Sequence, residues 1–153
     1  MTGQITKNFS WEEMEFSQTA QRMKIDNSVP AKYKGNMEKL CKEVLQPIRD
    51  AWGSPIVISS GYRCPRLNKA VGGVSTSQHA YASAADIHTT ENTLTENKKL
   101  WDLIIKLATA GKIKCRQIIW EYGKKGVGPK WVHVAVNDNE HGVQNNKQIF
   151  VGI

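Results

Sequence analysis

The groups in this chain best suited to metal or hydrolytic chemistry are its four histidines, His79, His88, His133 and His141. Any one of them, taken singly, is by default a satisfied or solvated imidazole, so neighbouring residues have to distinguish them. His133 stands between Val132 and Val134, and the two-residue period of a strand puts Trp131, His133 and Ala135 on one face and the valines on the other. The same period in the preceding apolar run groups Gln117, Ile119 and Glu121, and an antiparallel return brings Glu121 alongside Trp131 and His133. His79 sits near the end of a polar loop, and Asp86 follows it in an apolar run where an acid is otherwise unwelcome. With His133 added, the set is two imidazoles and one carboxylate, which leaves the fourth position of a zinc ion open for water, as in a catalytic site. The spacing between His79 and Asp86 fits equally well with a turn-capping Asp86 and a solvated His79. His88 shares a strand face with Asp86 and is a rival ligand, while His141 lies in a polar loop and is expected to be solvated.

The elements that must position these groups follow from capping signals and periodicity. Ser10-Trp-Glu-Glu13 has the pattern of a capping box and predicts a short helix. Met37, Leu40, Cys41, Val44, Leu45, Ile48 and Trp52 recur on one face of a long amphipathic helix, in which Pro47 predicts a kink. Gly53-Ser-Pro55 ends it, and Ile56-Val-Ile58 reads as a strand leading into Ser60-Gly-Tyr-Arg-Cys-Pro65. Residues 68–84 have loop composition, and a loop this long is usually functional or disordered. Ala85-Asp-Ile-His88 predicts a strand, and Thr93-Leu-Thr-Glu96 a second capping box. The helix it opens carries Leu100, Leu103, Ile104 and Leu107 on one face and stops at Gly111. The runs at 117–121 and 131–136 read as an antiparallel hairpin with a Gly- and Lys-rich link. Helices come early and strands late, which predicts an α+β fold with helices on one face of a small antiparallel sheet.

Composition bounds the rest. A chain of 153 residues with 40% hydrophobic and 23% charged residues fits one globular domain spanning 1–153. It has no apolar run long enough to span a membrane and no signal-peptide core near Met1, so the expectation is a cytosolic product that reaches any outside target after lysis, export or carriage on a particle. Twenty-one basic against fourteen acidic residues leave +7, which favours polyanionic partners such as nucleic acid or cell-wall polymer. The lysines are scattered without aromatic interleaving, however, so a solvated basic surface is expected rather than a nucleic-acid groove. Three cysteines without a Cys-x-x-Cys pair are expected to be free thiols.

Three blocks resemble the zinc D-Ala-D-Ala carboxypeptidase family, the peptidoglycan-cleaving relatives of the hedgehog signalling domain. They are Ser60-Gly-Tyr-Arg-Cys-Pro65 with Leu67-Asn68 and Val71-Gly72-Gly73, then Ser77-Gln-His-Ala-Tyr-Ala-Ser-Ala-Ala-Asp86, then Glu121 followed by Trp131-Val-His133. The resemblance implies the hedgehog/D-Ala-D-Ala peptidase-like fold and one zinc ion on His79, Asp86 and His133. It also implies Glu121 as catalytic acid and base, with Arg63 stabilising the oxyanion or contacting substrate. Ser77, Gln78 and Trp131 join Arg63 as expected substrate contacts, and Trp120 and Tyr122 as possible cleft walls. Ala82 stands where the family usually has Gly; if that position takes a positive φ, the substitution costs about 1 kcal/mol. The implied function is a monomeric zinc peptidase cutting a peptidoglycan stem peptide, as a D-Ala-D-Ala carboxypeptidase or an L-Ala-D-Glu type endopeptidase, in the manner of a phage lysin. The alternative is a zinc-containing wall-binding module without catalysis, since fold alone does not guarantee activity.

Overall fold

The computed structural model describes residues 2–139, 141 and 149–152. Helix α1 (Trp11–Glu15) starts where Ser10 Oγ accepts the Glu13 N–H at 3.2 Å, while the Glu13 carboxylate accepts from the Ser10 backbone, so both halves of the capping box form. Ser17 caps α2 (Gln18–Arg22) through its hydroxyl. The predicted amphipathic stretch runs as α3 (Lys34–Leu40), a π-helical turn (Cys41–Leu45) and α4 (Gln46–Trp52), burying Met37, Leu40, Cys41, Val44, Leu45 and Ile48. The irregularity expected at Pro47 thus falls one turn earlier. Pro47 has no N–H to donate, and the widened turn ahead of it lets the Gln46 N–H reach back to the Cys41 carbonyl.

Strands β1 (Ile56–Ser60), β2 (Ala84–Thr89), β3 (Cys115–Glu121), β4 (Trp131–Val136) and β5 (Ile149–Gly152) form one sheet in the order β1-β2-β4-β3-β5. The first four are antiparallel neighbours, and β5 adds to β3 in parallel, a strand the sequence pattern did not announce. Alternation divides the sheet as expected. Ala85, Ile87, Ile118, Val132, Val134 and Val136 face the helices and join one apolar core with Leu40, Val44, Ile48, Leu100 and Ile104. The fold is α+β, with helices packed on one face of the sheet. Trp120 belongs to this core, edge-on to Trp101 at 5.5 Å, so it does not wall the opposite face as was thought possible.

The second capping box forms as well, with Thr93 Oγ1 accepting the Glu96 N–H at the start of α6, counted here after α5 (Pro65–Ala70) and spanning Leu94–Thr109. Asn97 of α6 is fully buried and bridges three elements: its Oδ1 accepts from the Thr89 N–H and hydroxyl, and its Nδ2 donates to the Pro129 and Lys130 carbonyls. This anchors the link between β3 and β4. Burial pushes the Cys41 and Cys115 thiols up to about 12, so both stay protonated, and all three cysteines are free, as expected. Among the described residues no helix is long and apolar enough to cross a membrane.

The loop expected over 68–84 is only partly irregular. Pro65, at the start of α5, follows Cys64, whose Sγ accepts the Leu67 N–H, and a 3-10 turn spans Gln78–Tyr81. That turn ends on Ala82, fully buried at φ 58, which is the left-handed conformation foreseen for this position. Gly61 has a different reason to be glycine. A Cβ there would meet the Met14 carbonyl oxygen at 2.3 Å, and that same oxygen accepts the Tyr62 N–H at 2.8 Å, so backbone must approach backbone. Gly61→Ala is therefore expected to lower stability by about 1–3 kcal/mol through overpacking, read as a lower midpoint in urea with an unchanged slope.

Candidate metal centre and cleft

Asp86 and His133 come from strands far apart in sequence that the sheet makes neighbours, in direct register across β2 and β4. Both project from the face opposite the helices, and the 3-10 turn delivers His79 to the same point. One ligand atom from each of His79, Asp86 and His133 lies within 4.8 Å of the other two. Asp86 Oδ1 is 3.3 Å from His79 Nε2 and 3.0 Å from His133 Nδ1, and the three side chains are only 4%, 14% and 10% exposed in the order His79, Asp86, His133.

The outer nitrogen of each ring is already engaged. His79 Nδ1 lies 2.8 Å from the Gly61 carbonyl, which can only accept, so this nitrogen carries the proton. His133 Nε2 lies 2.9 Å from Gln78 Oε1, which the network assigns as the acceptor. In the neutral tautomers so fixed, His79 Nε2 and His133 Nδ1 present lone pairs to a carboxylate oxygen. Lone pairs gathered at such distances repel unless a proton or a metal ion sits among them. The donor set therefore fits a borderline-soft divalent cation such as zinc, and each imidazole has the outer hydrogen bond that usually orients a metal-binding histidine. Burial pushes the Asp86 carboxyl up, but the His79 charge and hydrogen bonds from both rings outweigh it and hold the group well below the usual carboxylate range. Asp86 is thus ionised and ready to bind a cation.

Around this cluster lies a cleft of about 500 Å³ whose floor is the sheet face bearing Gln117, Ile119, Glu121, Trp131 and His133. Glu121, opposite Trp131 in the β3–β4 register, shares the face and electrostatic field of the cluster; burial raises its carboxyl, with Asp86 adding to the rise and the imidazoles opposing it. Arg63 borders the cleft half-buried, one guanidinium nitrogen 3.4 Å from Ser77 Oγ and its buried Nε without a hydrogen-bond partner. Ser77 also caps the turn by accepting the His79 N–H at 3.3 Å. Gln78 lines the cleft with its carboxamide oxygen on His133, and Tyr122 leans on Trp131 with ring centroids 5.1 Å apart.

Two other histidines are placed differently from expectation. His141 is not solvated: it lines the cleft, with Nδ1 on Asp138 at 2.8 Å and Nε2 2.7 Å from the Thr76 carbonyl. It pins the ligand-bearing loop to the segment after β4. His88, the rival ligand, pairs with Val57 and turns Nδ1 to the Thr89 carbonyl at 2.7 Å, outside the cluster.

Comparison with known families gives a match to the family model described as Peptidase M15 over residues 7–109, more than half of the chain. The chain belongs to the M15 peptidase family. These are zinc D-Ala-D-Ala carboxypeptidase-like peptidases, so membership implies a hydrolase of a zinc-dependent kind. The matched stretch includes Arg63, His79 and Asp86, whereas Glu121 and His133 lie beyond it and join them through the β2–β4–β3 register. Among curated proteins, no sequence matches the chain.

Proposed function

We propose that this M15 peptidase, a single domain over its whole length, hydrolyses a peptide bond in peptidoglycan stem peptides. The observation that carries the reading is the convergence of His79 Nε2, Asp86 Oδ1 and His133 Nδ1 on one point beside Glu121. One zinc ion held by these three residues would supply a Lewis acid that acidifies water and polarises a carbonyl. Glu121 takes a proton from the attacking water as its oxygen bonds to the scissile carbonyl carbon, then returns that proton to the amine as the C–N bond breaks. A carboxylate kept basic by burial suits both halves of that transfer. Arg63 is a fixed cation whose buried, unpartnered Nε leaves donor capacity for the oxygen that gains negative charge. Ser77, Gln78 and Trp131 line the path of the peptide, and the +7 charge favours approach to an anionic wall.

The test is incubation of purified peptidoglycan with zinc-loaded protein, followed by mass spectrometry of the released fragments. New amino termini that vanish on chelation and return with zinc support the reading, and their identity tells carboxypeptidase from endopeptidase cleavage. Intact stem peptides beside a protein that holds zinc would favour the non-catalytic wall-binding module. A second expectation concerns Gln78. Gln78→Ala removes the acceptor that orients His133, and zinc affinity should drop by about 10–100-fold, measured by competition with a chromophoric chelator.

A further inference from the structure

A second cavity, of about 540 Å³, lies behind the loop that carries His79, and it is no part of the metal cleft. Gly73 borders both spaces. Along the 3-10 turn, Gln78 and His79 face the metal cleft while Ala80 and Tyr81 face this cavity. Its apolar walls are Tyr33, Tyr62, Tyr81, Pro30 and Pro65, the first and third tyrosines edge-on with centroids 5.3 Å apart. Its volume falls in the range of sites for small organic molecules.

Three polar features define what would fit. Asn68, only 3% exposed, lines the cavity, and its Nδ2 donates to the Val74 carbonyl at 2.7 Å while its Oδ1 is buried without a hydrogen-bond partner. An orphaned acceptor of this kind costs free energy until a donor reaches it. Gly73 is the residue that leaves that oxygen uncovered, because a Cβ there would stand 2.1 Å from it. The charged residues lining the cavity are Lys32 and Lys69, both exposed cations, with no acid among them. Burial also pushes the Tyr62 hydroxyl up to about 12, so it remains a neutral donor.

We infer that this cavity binds a compact N-acylated carboxylate, its amide N–H donating to Asn68 Oδ1, its apolar body between the tyrosines and its carboxylate toward Lys32 and Lys69. The proposal rests on the peptidoglycan reading only in its choice of sources, since the wall supplies that chemistry as an acylamino acid of a stem peptide and as an N-acetylated sugar acid. Occupancy would press on the Gln78 and His79 turn from behind.

The experiment is a nuclear magnetic resonance titration of the isotope-labelled full chain with N-acetylalanine and with N-acetylmuramic acid, using N-acetylglucosamine as the probe without a carboxylate. Saturable shifts at Ala80 and Tyr81 with either acid are expected, and whichever acid binds names the source. Lys69→Glu and Lys32→Glu, both surface changes, should each weaken binding at least about tenfold, the loss of one hydrogen bond to a charged group. His133→Ala should leave it in place. Binding lost in His133→Ala and kept in both lysine variants belongs to the metal cleft and overturns the proposal, as do equal binding of N-acetylglucosamine and no binding by the wild type. Because these readouts need neither zinc nor hydrolysis, the site can fail while the peptidase stands, or survive if the peptidase fails.

Discussion

Glu121→Gln is expected to bind zinc as the wild type does and to lose at least about a hundredfold in kcat, the scale of removing a positioned general base. The amide matches the carboxylate in shape but cannot accept the water's proton, so the change isolates proton transfer from packing. Glu121 is not one of the three converging ligand groups, and it reaches the cleft from β3, one strand away from His133. Metal content should therefore be untouched. The result to look for is a fall in kcat with little change in KM, since the interaction lost is made in the transition state. A variant that keeps wild-type turnover would remove Glu121 from the mechanism and turn attention to the other cleft groups.

His133→Ala should produce the opposite pattern: loss of metal first, and of activity as its consequence. Apparent binding free energies of about 10–16 kcal/mol for four-ligand zinc sites imply roughly 3 kcal/mol for each ligand, which is more than about a hundredfold in affinity. Removing the ring also strips Gln78 Oε1 of its donor and Asp86 Oδ1 of one neighbour, so nothing at the site compensates. The thermal midpoint gives a second readout, because a ligand that binds only the folded chain raises it. Zinc should raise the midpoint of the wild type and of Glu121→Gln, and leave that of His133→Ala where it was.

The local half of this structure was legible in the residues. Ser10 with Glu13 and Thr93 with Glu96 mark helix starts by side-chain chemistry that acts within one turn, and the hydroxyl caps form in both. Period-two alternation sorted Glu121, Trp131 and His133 onto one face, and the same rule already put Trp120 on the other, where it packs on Trp101. Ala82 was readable as a left-handed position because the resembling motif has glycine there. What the residues could not give was the pairing of β2 with β4, which sets Asp86 against His133 although 47 residues separate them. Register across a sheet depends on the whole core rather than on any local signal. His141 was hidden for a similar reason: its partners are Asp138, three residues away, and the Thr76 carbonyl, 65 residues away. The π turn before Pro47 gave no signal beyond the proline itself, which marks a missing donor without saying which neighbouring turn will adjust.

The most direct test of the central claim is X-ray absorption at the zinc edge of the protein loaded with one equivalent of zinc. The account predicts a first shell of nitrogen and oxygen only, at about 2.0–2.2 Å, with the outer-shell scattering of two imidazole rings, one of which disappears in any zinc that His133→Ala retains. A sulfur shell at about 2.3 Å, or an imidazole count unchanged by His133→Ala, would contradict it, because the metal would then sit somewhere other than His79, Asp86 and His133.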